Sequence, residues 1–285
     1  MDLTELPATP FRRHPWEVAR ARFFAQLVAG GGDVPAAQPI QVLDVGAGDG
    51  YLGRQVLQEL PPGSGVTCVD ANYGDDVELA RLASPPVPGL TFARARPAGR
   101  FDVVLLLDVI EHVADDRAFL EEILEASLQP DGFVVVSVPA WDLLYGQHDL
   151  ALKHFRRYQP GQCRALLQAC RLAIVREGGL FHSLLFPRIL QRIAEAARGA
   201  RRQAQRPANL GEWRAGGLLS SLVTRALDVD TRLSAQLARL GYALPGLSYW
   251  ALARRASPPR AEEGPPPQPI AGGSEPSQGS EDNRR

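Results

Sequence analysis

Cysteine is scarce in this chain. Its 3 copies, Cys68, Cys163 and Cys170, stand in apolar surroundings and form no C-x-x-C pair. That argues against a disulfide framework and a zinc ribbon, and for buried thiols in a reducing compartment. A surplus of one charge is missing too. The 31 Lys and Arg against 32 Asp and Glu leave a formal net charge of -1, so bulk electrostatics give no reason to expect nucleic acid as a partner. No stretch approaches the roughly 18 apolar residues that a membrane span requires. The start, MDLTELPATPFRRHPWEVAR, has charges and prolines where a secretory signal needs an apolar run. A cytoplasmic protein is therefore expected. Residues 256–285 hold almost no large apolar side chains and are expected to form a disordered tail, because they cannot bury enough surface to offset ordering entropy.

What is present is a core's worth of apolar residues, 45% of 285, and they come in a rhythm. Short runs recur from residue 40: IQVLDV (40–45), GVTCVD (65–70), LTFAR (90–94), FDVVLLLD (101–108) and GFVVVSVP (132–139). LAIVREGGLF (172–181) and GLSYWALARR (246–255) follow later. Most of these runs are continuous rather than alternating, as in strands buried on both faces of a parallel sheet. Helical patterns lie between them. Leu52, Val56, Leu57 and Leu60 share one face, as do Phe119, Leu120, Ile123, Leu124 and Leu128. Pro61-Pro62-Gly63 and Gln129-Pro130-Asp131-Gly132 are expected to end those helices, and Pro160 to start another. The expected fold is a doubly wound α/β domain over 1–255 with a mostly parallel seven-stranded sheet. An Arg-rich helical insertion, about 183–240, precedes its last strand.

The stretch VLDVGAGDGYLG (42–53) places glycines where the first strand ends. Gly46, Gly48 and Gly50 leave three of the turn's five positions without a β-carbon, so a ligand can lie against the backbone at the N-terminus of the next helix. Strand two ends in Asp70, whose carboxylate can accept from the hydroxyls of a ribose. Together these imply a nucleoside-containing cofactor. Gly48, Gly50 and Gly53 satisfy the dinucleotide spacing G-x-G-x-x-G, but the match begins two residues after the strand has ended. Asp44, just before the glycines, would repel phosphates and attract an ammonium. S-adenosyl-L-methionine has an ammonium, a sulfonium and a ribose, and no phosphate.

LDVGAGDG, then VTCVDAN, then FDVVLLLDVIEHVADD resemble, in order and spacing, the class I S-adenosylmethionine-dependent methyltransferases. The resemblance covers roughly residues 12–181. It implies a Rossmann-like fold in which Asp44, Gly46 and Gly48 hold the methionine part, Asp70 holds the ribose, and Asp108 and Val109 lie against the cofactor, with Glu111-His112 following. One departure stands out. ARARPAGRFD offers no acid before Asp102 for the adenine amino group, so adenine recognition is expected to rest on backbone near Ala93–Ala95.

Two flanks remain. RHPWEVARARFF reads as an amphipathic helix through Ala19, Phe23 and Phe24. It serves either as plain cover or, by resemblance, as a lid in which His14, Trp16 and Arg20 close over the cofactor and Arg20 pairs with its carboxylate. WDLLYGQHDLALKHFRRYQP, after the fifth strand, clusters His148, Asp149, His154, Arg156, Arg157 and Tyr158. It resembles a loop found in a subset of the family. His148 or His154 suits a general base, and Asp149, Arg156, Arg157 and Tyr158 are candidates for acceptor contact. The alternative is a lid whose arginines pair with helix carboxylates. His112 is expected to cap its turn or pack near the cofactor. The spacing matches no closed zinc set, so no metal is expected.

The function expected is methyl transfer to an acceptor that is a small molecule or a lipid-linked or glycan substrate. The rivals are a non-catalytic nucleoside-binding protein of the same fold and an NAD-dependent oxidoreductase. Residues 183–206 set Leu184, Leu185, Ile189, Leu190 and Ile193 beside Arg188, Arg192, Arg198, Arg201, Arg202 and Arg206, with only Glu195 opposing. Such a helix is either ordinary cover or a peripheral membrane contact. Pro187 speaks against one long helix.

Overall fold

The apolar runs pair side by side into one sheet. The computed structural model describes residues 12–30, 32–35, 37–197, 213 and 216–255; the expected tail and the basic residues from Arg198 to Arg206 lie outside them. The strands are β1 (Gln41–Val45), β2 (Gly65–Val69), β3 (Leu90–Ala93), β4 (Phe101–Leu107), β5 (Leu128–Pro139), β6 (Leu172–Leu180) and β7 (Ser248–Arg255). Their order is β3-β2-β1-β4-β5-β7-β6. All neighbours are parallel except β7, which runs antiparallel to both β5 and β6. The seven-stranded, mostly parallel sheet is thus as expected.

Helices α1 (Pro15–Ala29), α2 (Tyr51–Glu59) and α8 (Gly217–Arg239) bury Phe24, Val56 and Leu227 in the cluster on one face of the sheet. On the other face α4 (Asp116–Ser127) and α6 (Pro160–Ala169) bury Leu120, Ile123, Cys163 and Leu167. Central strands carry Val and Leu toward both clusters, which is why their runs are continuous. All three cysteines are buried and free.

The rest departs from the sequence reading in instructive ways. α3 (Asp76–Leu82) has one buried residue, Leu82, so no apolar stripe announces it; the Asp75 side chain caps it by accepting from Val77 and Glu78 N–H. Gln129–Gly132 does not form a free turn. Phe101 pairs with Leu128, the register then shifts, and β5 runs through the segment. The polar connection after β5 contains a short helix, α5 (Gln147–Ala151). α7 (His182–Ala197) runs through Pro187, which forgoes one backbone bond, to Ser183 O, without ending the helix. Among the described residues no helix is long and apolar enough to cross a membrane.

Candidate functional site

The strand order reverses between β1 and β4, so the loops leaving these strands open a crevice at their carboxyl ends. Gly46, Gly48 and Gly50 have φ of 71°, 54° and 71°, a region that favours glycine. The turn is held by the backbone: the N–H groups of Gly46 and Ala47 donate to Val69 O at 2.8 and 3.1 Å. Packing needs glycine as well, because a Cβ on Gly46 would stand 2.7 Å from Val109 Cγ2. The β4 exit is thereby pressed against the β1 exit.

Asp70 sits at the centre of this turn. Its Oδ2 accepts from Gly48 N–H at 2.9 Å and its Oδ1 from Asn72 N–H at 2.8 Å. Two backbone donors fix the carboxylate plane, and each oxygen keeps a lone pair for a further donor. A ribose diol fits that need. Asp44 is different. It is buried, and its Oδ2 has no hydrogen-bond partner among the described residues. Burial pushes its carboxyl up to about 7, against the pull of Arg20 and with the push of Asp70 and Asp49. A buried acid without a partner is what an incoming ammonium would satisfy, so the amino group of S-adenosylmethionine fits here.

α1 lies over the turn. Arg13 pairs with Asp49, and its guanidinium stacks on the Tyr51 ring with 3.9 Å to the centroid. His14 caps the helix by accepting from Trp16 N–H at 3.3 Å, and burial lowers its pKa. Trp16 packs against the core cluster. Arg20 does not stand unpaired for a cofactor carboxylate: it makes an ion pair with Asp108 Oδ2 at 2.8 Å. Asp108 itself is held at φ 59° by its N–H to Ser137 O at 2.8 Å and by Ser137 Oγ at 3.3 Å. These contacts make α1 a cover on the sheet face and on the glycine turn.

A second cluster follows β4. The chain turns through Ile110–His112 as a single 3-10 turn. Glu111 is fully buried there, and neither carboxylate oxygen has a hydrogen-bond partner among the described residues. Burial, then Asp108, pushes its pKa well up. The backbone carbonyl of Glu111 accepts from Phe155 N–H at 2.8 Å, which ties the later loop to this turn. That loop lays His154 on His112, with ring centroids 4.6 Å apart and planes at 87°.

His154 Nδ1 lies 3.0 Å from Asp149 Oδ1. Arg157 Nε donates to the same oxygen at 2.7 Å, and Gly146 N–H donates to Oδ2 at 2.8 Å. Burial alone would raise Asp149, but its bonds from His154 and Arg157 outweigh that and hold it well below the usual carboxylate range. Arg156 binds Asp116 Oδ2 at 2.8 Å, and Tyr158 Oη donates to the same oxygen at 2.7 Å. The bracing alternative thus describes Asp149, Arg156, Arg157 and Tyr158 better than acceptor contact does. The last three still line a small cavity with Asp116, Asp142, Gln162 and Leu166. His148, on α5, has its pKa lowered by burial. The sequence reading did not group Glu111 and His112 with His154. The available signal was the acid-imidazole pair Glu111-His112 in the turn after β4.

Comparison with known proteins agrees with this geometry. A family model described as a methyltransferase domain matches residues 11–177. A protein named ubiquinone biosynthesis O-methyltransferase from Chelativorans sp. (strain BNC1) is 31% identical over 136 residues, 44% of this chain and 52% of that protein. One of the same name from Caulobacter sp. (strain K31) is 33% identical over 128 residues, 42% and 48% of the two chains. The chain thus spans about half the length of the curated relatives it matches. Among solved structures, that of the [4+2]-cyclase SpnF is similar at a TM-score of 0.50 and 16% identity, covering 89% of this chain and 90% of that one; this likeness concerns the fold alone. The family match spans the glycine turn, Asp70 and the β4 exit together, which disposes of the dinucleotide alternative: the chain belongs to the class I S-adenosylmethionine-dependent methyltransferases.

Proposed function

We propose that the protein transfers the methyl group of S-adenosylmethionine to an oxygen of a small acceptor. The observation that carries this is the pairing, in one crevice, of a buried unpartnered acid with a ribose-ready carboxylate, Asp44 and Asp70. In this reading Asp44 takes the ammonium, and Gly46 and Gly48 let the methionine part lie on the backbone. Asp70 takes the ribose hydroxyls, and Asp108 and Val109 bound the cofactor on the β4 side. Arg20 reaches the same place through Asp108. The acceptor enters over Glu111, His112 and His154, and its hydroxyl proton passes to the His154 imidazole, whose Nδ1 is held by Asp149. The oxygen then attacks the methyl carbon in line with the breaking C–S bond, whose electron pair stays on sulfur. The protein's part is to align the two and exclude water. An oxygen acceptor is favoured because the similar proteins from Chelativorans and Caulobacter are named O-methyltransferases.

A second observation concerns where the acceptor comes from. On α7, Phe186, Leu190 and Ile193 share a face and are 66%, 50% and 60% exposed. Arg192 turns inward instead, donating to Tyr145 O at 2.6 Å beside the acceptor loop. Apolar side chains in water next to an active-site loop suit a peripheral lipid contact and a lipid-linked acceptor.

The test uses methyl-labelled S-adenosylmethionine with a panel of phenols and catechols, with and without a polyprenyl tail. Label is expected on an acceptor oxygen, faster for tailed acceptors in anionic vesicles. Label confined to nitrogen would overturn the oxygen assignment. A folded protein that does not bind S-adenosylhomocysteine would overturn methyl transfer.

A further inference from the structure

Glu111, His112 and His154 each direct one ligand-type atom into a common space. These atoms, a carboxylate oxygen and two imidazole nitrogens, all lie within 4.8 Å of one another. Such a set could be a chance meeting of polar groups. Glu111 argues otherwise. It is fully buried, and both its oxygens lack a hydrogen-bond partner among the described residues. Leaving a buried carboxylate without a hydrogen bond is costly. The support behind His154 points the same way. Its Nδ1 is engaged by Asp149, which leaves Nε2 for the cluster. Asp149 is in turn fixed by Arg157 and by Gly146 N–H. A carboxylate holding one imidazole nitrogen so that the other can bind is the usual backing of a histidine metal ligand.

We propose that Glu111, His112 and His154 bind one divalent transition-metal cation, with Asp149 as the residue that positions His154. One carboxylate and two imidazoles suit zinc, manganese or cobalt better than calcium or magnesium. Three protein ligands leave coordination positions open. One of them takes the acceptor oxygen. This last role rests on the methyl-transfer reading; the binding of the cation does not. A hydroxyl coordinated there loses its proton to solvent more readily. Its oxygen then forms the O–CH3 bond as the S–CH3 bond breaks, and the positive sulfonium becomes the neutral thioether. His154 is then a ligand rather than the base. The closed-zinc-set test on sequence spacing missed this because the ligands come from two segments that only the fold brings together.

The test is calorimetry on chelator-stripped full-length protein, titrated with Zn2+, Mn2+ and Co2+, and separately with S-adenosylhomocysteine. One equivalent of at least one of these ions is expected to bind. Glu111→Gln and His154→Ala are each expected to weaken it by at least about tenfold, and Asp149→Asn by about tenfold. All three variants should bind S-adenosylhomocysteine as the parent does. Visible bands from Co2+ bound to the unmodified protein, quenched by one equivalent of Zn2+, report the site without any variant. No ion bound by the parent, or an affinity indifferent to both ligand substitutions, overturns the proposal. Loss of S-adenosylhomocysteine binding with the ion still bound would sink the methyl-transfer reading and leave the metal site standing.

Discussion

In the proposed cofactor half of the site, around Asp70, backbone holds side chain; in the proposed acceptor half, around His154, side chain holds side chain. Asp70 is fixed by the N–H groups of Gly48 and Asn72, near neighbours of the strands that they follow. His154 is fixed by Asp149, Asp149 by Arg157, and Arg157 reaches back to Ala140 O at 3.2 Å. The first arrangement is decided by local chain geometry, since a turn at positive φ needs glycine and aims its amides in one way. The second is decided by tertiary assembly. The two halves should therefore fail separately. A change in the glycine turn should remove the cofactor and leave the loop, and a change in the loop should do the reverse.

The largest expected effect is in the cofactor half. Asp70→Ala removes the carboxylate that accepts from two backbone donors and that, in the proposed function, takes two ribose hydroxyls. It should cost about 2–4 kcal/mol of S-adenosylhomocysteine binding, since bonds to a charged acceptor contribute roughly 1.5–3 kcal/mol each and do not add fully. Titration calorimetry measures it. Unchanged affinity in a folded variant would dissolve the distinction between the halves.

Next comes pH. Burial holds the Asp44 carboxyl at about 7 in the free protein. Because that value is raised above the ordinary carboxylate range, the stability linked to the protonated form is present at low pH and lost as pH rises through about 7. An ammonium ligand needs the ionised form. Binding below pH 7 must then expel a proton, and affinity should fall by up to about tenfold for each unit below that point. Calorimetry in buffers of different ionisation enthalpy would reveal the proton. A flat profile from pH 5.5 to 8 in wild type, or an unchanged slope in Asp44→Asn, would mean that Asp44 does not meet the ammonium.

Asp149→Asn is a smaller perturbation and belongs to the other half. It keeps the shape and weakens the charge-assisted bonds to His154 and Arg157, so about 1–3 kcal/mol of stability should go. Denaturant unfolding reads that loss, and cofactor affinity should stay within about threefold of the parent. A larger loss of cofactor binding would show that the halves are coupled. Least of all, Arg156→Ala breaks an ion pair with Asp116 whose arginine is 34% exposed. It should cost no more than about 1 kcal/mol. A cost like that of Asp149→Asn would make Arg156 part of the support for His154.

The same contrast explains what could be read from the sequence. β1, the glycine turn, β2 and Asp70 are legible because apolar runs and glycines report local needs directly. So is the seven-stranded sheet, whose central strands announce themselves by runs buried on two faces. α3 was not legible, because it buries little more than Leu82 and is set by its Asp75 cap. The extension of β5 through Pro130 and Gly132 was masked by turn residues. In the loop, the arginines and Tyr158 looked like groups facing an acceptor. Their partners, Asp116 and Asp149, could not be assigned until the chain was folded. Glu111 gave least away, since an acid after a strand is ordinary and only its burial without a partner makes it unusual.

The claim that the two halves are separable is tested most directly by titrating S-adenosylhomocysteine into wild type, Gly48→Ala and Glu111→Gln. Gly48 has φ 54° and its N–H holds Asp70, so a β-carbon there strains the turn and obstructs the ligand. Wild type is expected to bind one equivalent, Gly48→Ala at least about thirtyfold more weakly, and Glu111→Gln within about threefold of wild type. Equal affinity for folded Gly48→Ala and wild type, or an equal loss in both variants, would contradict the account.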